Sequence, residues 1–332
     1  MSQKFSSRDE LLSLLISEET PDSSRLRRVA QLIEPAVAID LVGPARPDPV
    51  GSRYGGEPYA PRGFVWPRRK EGQHSLFLGQ VNFAEIAKRS SPSLERLPSS
   101  GVLQLFWDGY HSLASVNAGV HVCWHPNATA EQHISGMTHA SDEKPFTPTS
   151  IEFASTFSAP SIWALLPELY PLQYPNRRIR EWLSDDEWDE QFGYQCCVEG
   201  NGGGHQLLGH ACAYQNDPRW EMAFGADQRL GVALEDDWVR WRTAREAGLT
   251  YDDEGHVAEA SLARLWQNWV SENPVGAALE AERERWRLLW QVDADERLGL
   301  HLGDLGRLFV MIREDDLARG AFEAATTCWQ AH

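Results

Sequence analysis

Two stretches of the chain share one order of apolar and polar positions. Leu76 to Trp107 reads LFLGQVNFAEIAKRSSPSLERLPSSGVLQLFW, and Trp286 to Ile312 reads WRLLWQVDADERLGLHLGDLGRLFVMI. Each opens on an apolar run ending in Gln80-Val81-Asn82 or Gln291-Val292-Asp293. A polar spacer follows, then a glycine and a second apolar run, Gly101 to Trp107 or Gly306 to Ile312. Short apolar runs bounded by turn residues predict strands. The pattern therefore predicts two related strand–connection–strand units pairing in one sheet.

Around these units the pattern is mixed. Residues 1–45 predict N-terminal helices and a strand. SRDELLSLLISE, residues 7–18, is an amphipathic helix behind a Ser/Asp start, RLRRVAQLI follows from Asp22-Ser23-Ser24, and AVAIDLV is a strand. Ser52 to Pro67, dense in Gly and Pro, predicts a tightly turned loop with aromatics embedded in it. Strands are expected at 116–124 and 151–157, and helices at 83–88, 162–170 and from Ser184. The glycine run Asn201–Gly204 lacks the Lys-Ser/Thr of a phosphate loop and predicts a turn. Residues 225–285 carry successive helical patterns, with a stripe at Leu262, Leu265, Trp266, Trp269 and Val270, and predict a helical insertion. A last helix is expected from Arg313 to about Trp329.

Composition narrows the function. A formal charge of −17 excludes a general nucleic-acid binder, which needs a basic surface. It suits solubility or a basic partner. Five cysteines without a CxxC pair or regular framework predict a reduced, cytoplasmic setting. No apolar stretch approaches the ~20 residues of a membrane span, so no membrane partner is expected. Fourteen Trp residues fill the core or line a groove.

Candidate chemistry is sparse. His121, Cys123 and His125 share one face of a predicted strand and are metal-ligand types, but they spread over roughly 13 Å. His205, His210 and Cys212 are the candidate catalytic residues of a Cys/His hydrolase, although no nucleophile elbow or HExxH is present. Asp108, Asp293, Asp295 and Asp304 either hold a divalent ion or cap turns. Trp66, Gln80, Gln104 and Arg307 are candidate lining residues of a small-ligand pocket between the two sheet units. No cofactor is called for.

Several segments together resemble the DUF1963, or YwqG-like, family of bacterial proteins. They are Ser52–Pro58, Trp66-Pro67, LFLGQVNFAEI, LPSSGVLQLF, HQLLGHACAYQNDPR and LLWQVDADERLGLHLGDLGRLFVMIREDDL. The resemblance implies an α+β fold with mostly antiparallel strands, residues 1–332 forming one such domain. It brings no established activity and no agreed catalytic residues. Some members are encoded near polymorphic toxins, which implies an immunity or other partner-binding role. The chain departs from the family at His210, where members often place an aromatic, and in the helical block at 225–285.

The leading expectation is a non-enzymatic protein-binding module, an immunity protein neutralising a basic toxin, with acidic charge supplying speed and aromatics supplying hot spots. The alternatives are the small-ligand pocket and the His/Cys hydrolase.

Overall fold

The structure is a computed structural model describing residues 4–15, 29–69, 72–88, 95–109, 119–137, 144–161, 164, 204–214, 216–226, 268, 271–272 and 274–331. The helices expected at 162–170 and from Ser184, and most of the 225–285 block, lie outside the described residues, as do Asn201–Gly203.

Among the described residues ten strands form one sheet: β1 (Glu34–Pro44), β2 (Arg53–Tyr54), β3 (Leu76–Asn82), β4 (Val102–Trp107), β5 (Val120–His125), β6 (Thr149–Ser158), β7 (His205–Leu207), β8 (Trp286–Asp293), β9 (Arg307–Arg313) and β10 (Thr326–Gln330). Their order is β10-β9-β8-β7-β1-β6-β2-β3-β4-β5. Every pairing is antiparallel. Helices α1 (Arg8–Leu15), α2 (Phe83–Ile86), α3 (Pro218–Ala226), α4 (Pro274–Arg283) and α5 (Glu314–Ala318) flank it. The fold is α+β and mostly antiparallel, as expected.

The long pair β1–β6 stands in the middle, with β2 to β5 on one flank and β7 to β10 on the other. The sheet curls. Leu78, Val81, Leu103 and Trp107 from one flank share a single core with Trp290, Val292, Leu308 and Ile312 from the other. Trp124 on β5 packs on Phe322, which lies between β9 and β10 (ring centroids 4.7 Å apart). Among the described residues two clusters cover parts of the outer face. Trp66, Phe77 and Phe106 cluster on the first flank, and Met222 of α3 meets Leu288, Phe309 and Met311 on the second.

The two flanks match in detail. A bulge interrupts β3 between Phe77 and Gly79, and another interrupts β8 between Leu288 and Trp290. The skipped carbonyls of Leu78 and Leu289 accept from Gly55 and Leu208 at 2.9 and 3.3 Å. Gly55-Gly56 and Leu208-Gly209 both turn through positive φ: 59° and 77° in the first, 58° and 69° in the second. Two successive positive-φ residues favour Gly or Asn, so Leu208 holds a conformation its side chain opposes.

Three expectations need correction. The segment after Arg313 is not one helix to Trp329. α5 ends at Ala318, Gly320 turns at φ 70°, and Thr326-Thr327-Cys328-Trp329 forms β10 against β9. β-branched residues and a waiting sheet edge outweigh the helical pattern there. The 52–67 loop contributes β2. The helix expected across 83–88 spans only Phe83–Ile86, with the Asn82 side chain accepting from the Ala84 N–H at its start.

Candidate functional site

The glutamines carried by the repeated Gln-Val-Asn/Asp pattern sit on the outer face, and each holds a loop. Gln80 faces Arg53 and Gln291 faces Gln206 in register. Gln80 Oε1 accepts from the Tyr59 N–H and its Nε2 donates to the Pro49 and Gly51 carbonyls, all at 2.9 Å. Gln291 Oε1 accepts from the Cys212 N–H at 2.9 Å, and its Nε2 donates to the Gly204 carbonyl at 2.8 Å. Both glutamines thus hold a carbonyl two residues before the facing residue and an N–H six residues after it. Both are fully buried. A buried amide stays inside only when its donors and acceptors are paired.

The backbone N–H two residues further along each strand is also held from a side chain. Asn82 N–H donates to Ser52 Oγ at 2.8 Å, and Asp293 N–H to His205 Nδ1 at 3.2 Å. His205 therefore occupies the place of Ser52. Its ring lies 4.7 Å from the Tyr54 ring, and its Nε2 is 3.7 Å from Asp295 Oδ2. Strand alternation puts His205 on the opposite face from Gln206 and Gln291. His210 and Cys212 go with the latter. The His210 carbonyl accepts from Gln206 Nε2 at 2.7 Å, and His210 Nε2 lies 2.5 Å from the Leu32 carbonyl. The three candidate catalytic residues are not brought together. Burial lowers the pKa of His210.

Of the candidate pocket residues, Gln80 and Gln104 meet directly. Gln104 Nε2 donates to Gln80 Oε1 at 3.1 Å and to the Tyr59 carbonyl at 2.9 Å. Its own Oε1 then accepts from His125 Nε2 at 2.9 Å, which assigns the proton to that nitrogen. Trp66 lies on the same outer side, stacked on His74. Arg307 does not join them. It donates to Asp293 Oδ1 at 3.0 Å and to the Cys212 carbonyl at 2.7 Å, its guanidinium 4.1 Å from the Tyr214 ring. The space between the flanks is the shared core, so these four residues do not line one pocket.

His121, Cys123 and His125 do lie on one face of β5, facing Phe106, Gln104 and Val102. Each side chain has its own surroundings. His121 Nε2 bonds Asp108 Oδ1 at 2.8 Å, His125 bonds Gln104, and Cys123 packs against the Trp66 cluster. Burial pushes the Cys123 thiol up to about 11. Among the described residues no three His, Cys, Asp or Glu side chains group as metal ligands.

The four aspartates are also dispersed. Asp293 accepts from the Gly204 N–H at 2.7 Å and from Arg307, and Asp295 caps the Arg297 N–H at 2.8 Å. Burial opposes the Asp295 charge, but His205 and Arg297 hold its pKa well below the usual carboxylate range. Asp304 is exposed in the turn before Gly306. Asp108 bonds both His121 and Ser75 through the same oxygen, Ser75 Oγ donating at 2.6 Å. The carboxylate stands between hydroxyl and imidazole, whereas a nucleophilic triad needs the imidazole in the middle.

Sequence reasoning missed two buried charge centres. Arg53 is wrapped by the carbonyls of Asp48, Pro49, Gly51 and Glu57. Burial pulls its pKa down to about 10. On the second flank Arg283 and Arg219 close on Asp217 at 3.2 and 2.7 Å. Beside them Glu221 Oε1 accepts from Gln330 Nε2 at 3.1 Å, and burial pushes its pKa up to about 7. A charged residue inside a Gly/Pro-rich loop was the one available signal for Arg53. A cavity of about 530 Å³ opens beside Ser52, Arg53, Glu85 and Lys88, and another of about 490 Å³ beside His210, Asp217, Arg219 and Trp286.

Among the described residues no helix is long and apolar enough to cross a membrane. Comparison with curated proteins gives no match. The domain of unknown function DUF1963 matches residues 52–331, a span that takes in β2 to β10, and the chain belongs to that family.

Proposed function

We propose that this chain is a non-enzymatic protein-binding module whose acidic exterior captures a basic protein, with an immunity role against a basic toxin as its most specific form. The observation that carries the reading is the combination of a formal charge of −17 with the use made of the buried polar side chains. Gln80, Gln104, Gln291, Arg53 and Arg307 are committed to backbone carbonyls, amides and neighbouring side chains, and the candidate His and Cys residues stand apart. The functional feature in this reading is the charged surface and its field, which governs encounter rate and partner choice.

The framework of that surface is two related copies of one unit, β2 to β5 and β7 to β10, joined through β1 and β6. Support comes from matching bulges, matching positive-φ turns and glutamines holding loops at the same offsets. Among the described residues Cys123 and Cys328 form no disulfide, which supports a cytoplasmic protein.

Affinity capture from native lysate tests the reading. The expected result is a basic protein retained at low salt and released as ionic strength rises, as screened charge attraction requires. Retention of acidic or neutral proteins with no salt dependence overturns it. A second reading, a small-ligand protein, is favoured by the two cavities, whose volumes fall within the usual range for ligands. A ligand-dependent rise in melting temperature with a metabolite library would carry it.

A further inference from the structure

The loop that Gln80 holds from the sheet is held a second time, by residues 130–137. Gly136 and Met137 donate their N–H groups to Glu57 Oε1 at 2.6 and 3.3 Å. The Tyr59 hydroxyl donates to Gln132 Oε1 at 3.1 Å, and the Ala60 carbonyl accepts from the Ile134 N–H at 2.8 Å. A further contact is of another kind. The Ala60 N–H donates to His133 Nδ1 at 3.1 Å, beside an isolated bridge between Pro61 and His133.

A backbone N–H can donate only to a ring nitrogen that carries no proton. His133 is therefore neutral here, with its hydrogen on Nε2. Protonating Nδ1 turns the acceptor into a donor and sets two N–H groups against each other. Ala60 is fully buried, so its N–H then has no water to turn to. An imidazolium stacked on Tyr59, ring centroids 6.1 Å apart, gains from the ring face but does not restore that bond.

A second imidazole bears on the same tyrosine. His125 meets the Tyr59 ring edge-on at 5.2 Å, and through Gln104 it supports the Tyr59 carbonyl. Burial lowers the pKa of His125, so its contribution is complete above the ordinary 6.5 and lost as pH falls through the lowered value. Around the two imidazoles the described charged or titratable groups are Glu57, Tyr59 and Arg62 on the loop, Cys123 on β5, and Glu131 beside His133.

We propose that Ala60 and His133 form an acid-sensitive clasp, in which neutral His133 holds the loop and its protonation releases residues 57–61 from 130–137. The released state takes up a proton that the clasped state excludes. The clasp is therefore strongest above the range where imidazole charges and weakens as pH falls through that range, toward about 5.5. Release unseats Tyr59 and loosens the cover that Phe64 and Trp66 place over Phe106 on the first flank. The device stands apart from the reading of the chain as a binder of basic proteins.

Hydrogen exchange of the full chain, expressed as protection factors at about pH 7.5 and about pH 5.5, tests it. Protection at the Ala60 and Ile134 amides should fall by about tenfold at the lower pH, while the β8–β9 ladder keeps its own. His133→Asn places a side-chain oxygen near the position of Nδ1 and cannot take the proton, so protection should persist at both pH values. Unchanged protection in the wild type overturns the clasp, as does an equal fall in His133→Asn. So does a fall shared by the β8–β9 ladder, which is general loosening in acid. If the variant does not fold, NMR titration of the wild-type His133 ring decides. Its midpoint must coincide with that of the Ala60 amide, and separate midpoints overturn the proposal.

Discussion

Tyr54 and Trp290 join the two flanks at the centre of the molecule. The Trp290 indole Nε1 donates to the Tyr54 hydroxyl at 3.1 Å, with the rings 5.9 Å apart. Both side chains are fully buried, and the bond links β2 to β8 across a sequence separation of 236. Tyr54→Phe removes the acceptor and leaves the indole N–H unpaired, at an expected cost of about 1–3 kcal/mol. Trp290→Phe should cost more, because ring volume is lost as well. Urea unfolding of the two single variants and the double variant measures the coupling, and strict additivity would show that the bond contributes nothing.

The two glutamines make local predictions. Gln80→Leu strands the Tyr59 N–H and the Pro49 and Gly51 carbonyls, and should lower stability by about 2–4 kcal/mol. Faster hydrogen exchange is expected in residues 49–60 and not in 204–212. Gln291→Leu should give the mirror result. If either variant loosens both loops equally, the two are not separately held.

Glycines at matching places should behave alike. A Cβ on Gly101 would lie 2.2 Å from Trp124 Cη2, and one on Gly306 would lie 1.9 Å from the Leu302 carbonyl oxygen. Gly101→Ala and Gly306→Ala should each cost upwards of about 2 kcal/mol. Gly63→Ala meets nothing within 4 Å and has φ 82°, so only backbone strain of about 1 kcal/mol is expected. Melting temperatures of the three variants order these effects directly.

Glu221 predicts a pH dependence. Burial raises its pKa in the folded chain to about 7 from the ordinary 4.5. The folded state therefore binds the proton more tightly than the unfolded state. The favourable contribution is complete below about 4.5 and is lost as pH rises toward and through 7. Glu221→Gln keeps an uncharged amide in the site and should stabilise the protein above pH 7 by a few kcal/mol at most. Denaturation at pH 5 and pH 8 gives the difference, and equal gains at both pH values would refute the assignment.

The long strands were legible because their apolar runs are short, β-branched or aromatic, and bounded by turn residues. Leu76–Asn82 and Trp286–Asp293 owe their visibility to this. β2 and β7 were not legible. Two or three residues, Arg53-Tyr54 and His205-Gln206-Leu207, carry no period, and they become strands only by pairing between β6 and β3 in the first case and between β1 and β8 in the second. The stretch after Arg313 misled because local helical preference yields to the β9 edge. Among the site residues, His205, His210 and Cys212 are near in sequence, but alternation across the sheet divides them. The pairing of Gln80 with Gln104 is a register fact, which no single strand announces.

The order of strands also bears on how the chain folds. β3 to β5 and β8 to β10 each form from contiguous sequence, whereas the central pair joins Glu34 to Ser158, residues 124 positions apart. Closing a long loop carries an entropic cost before its contacts compensate. The outer meanders should therefore assemble early and the middle ladder late, which makes β1–β6 pairing the slow kinetic step that converts two half-built sheets into one.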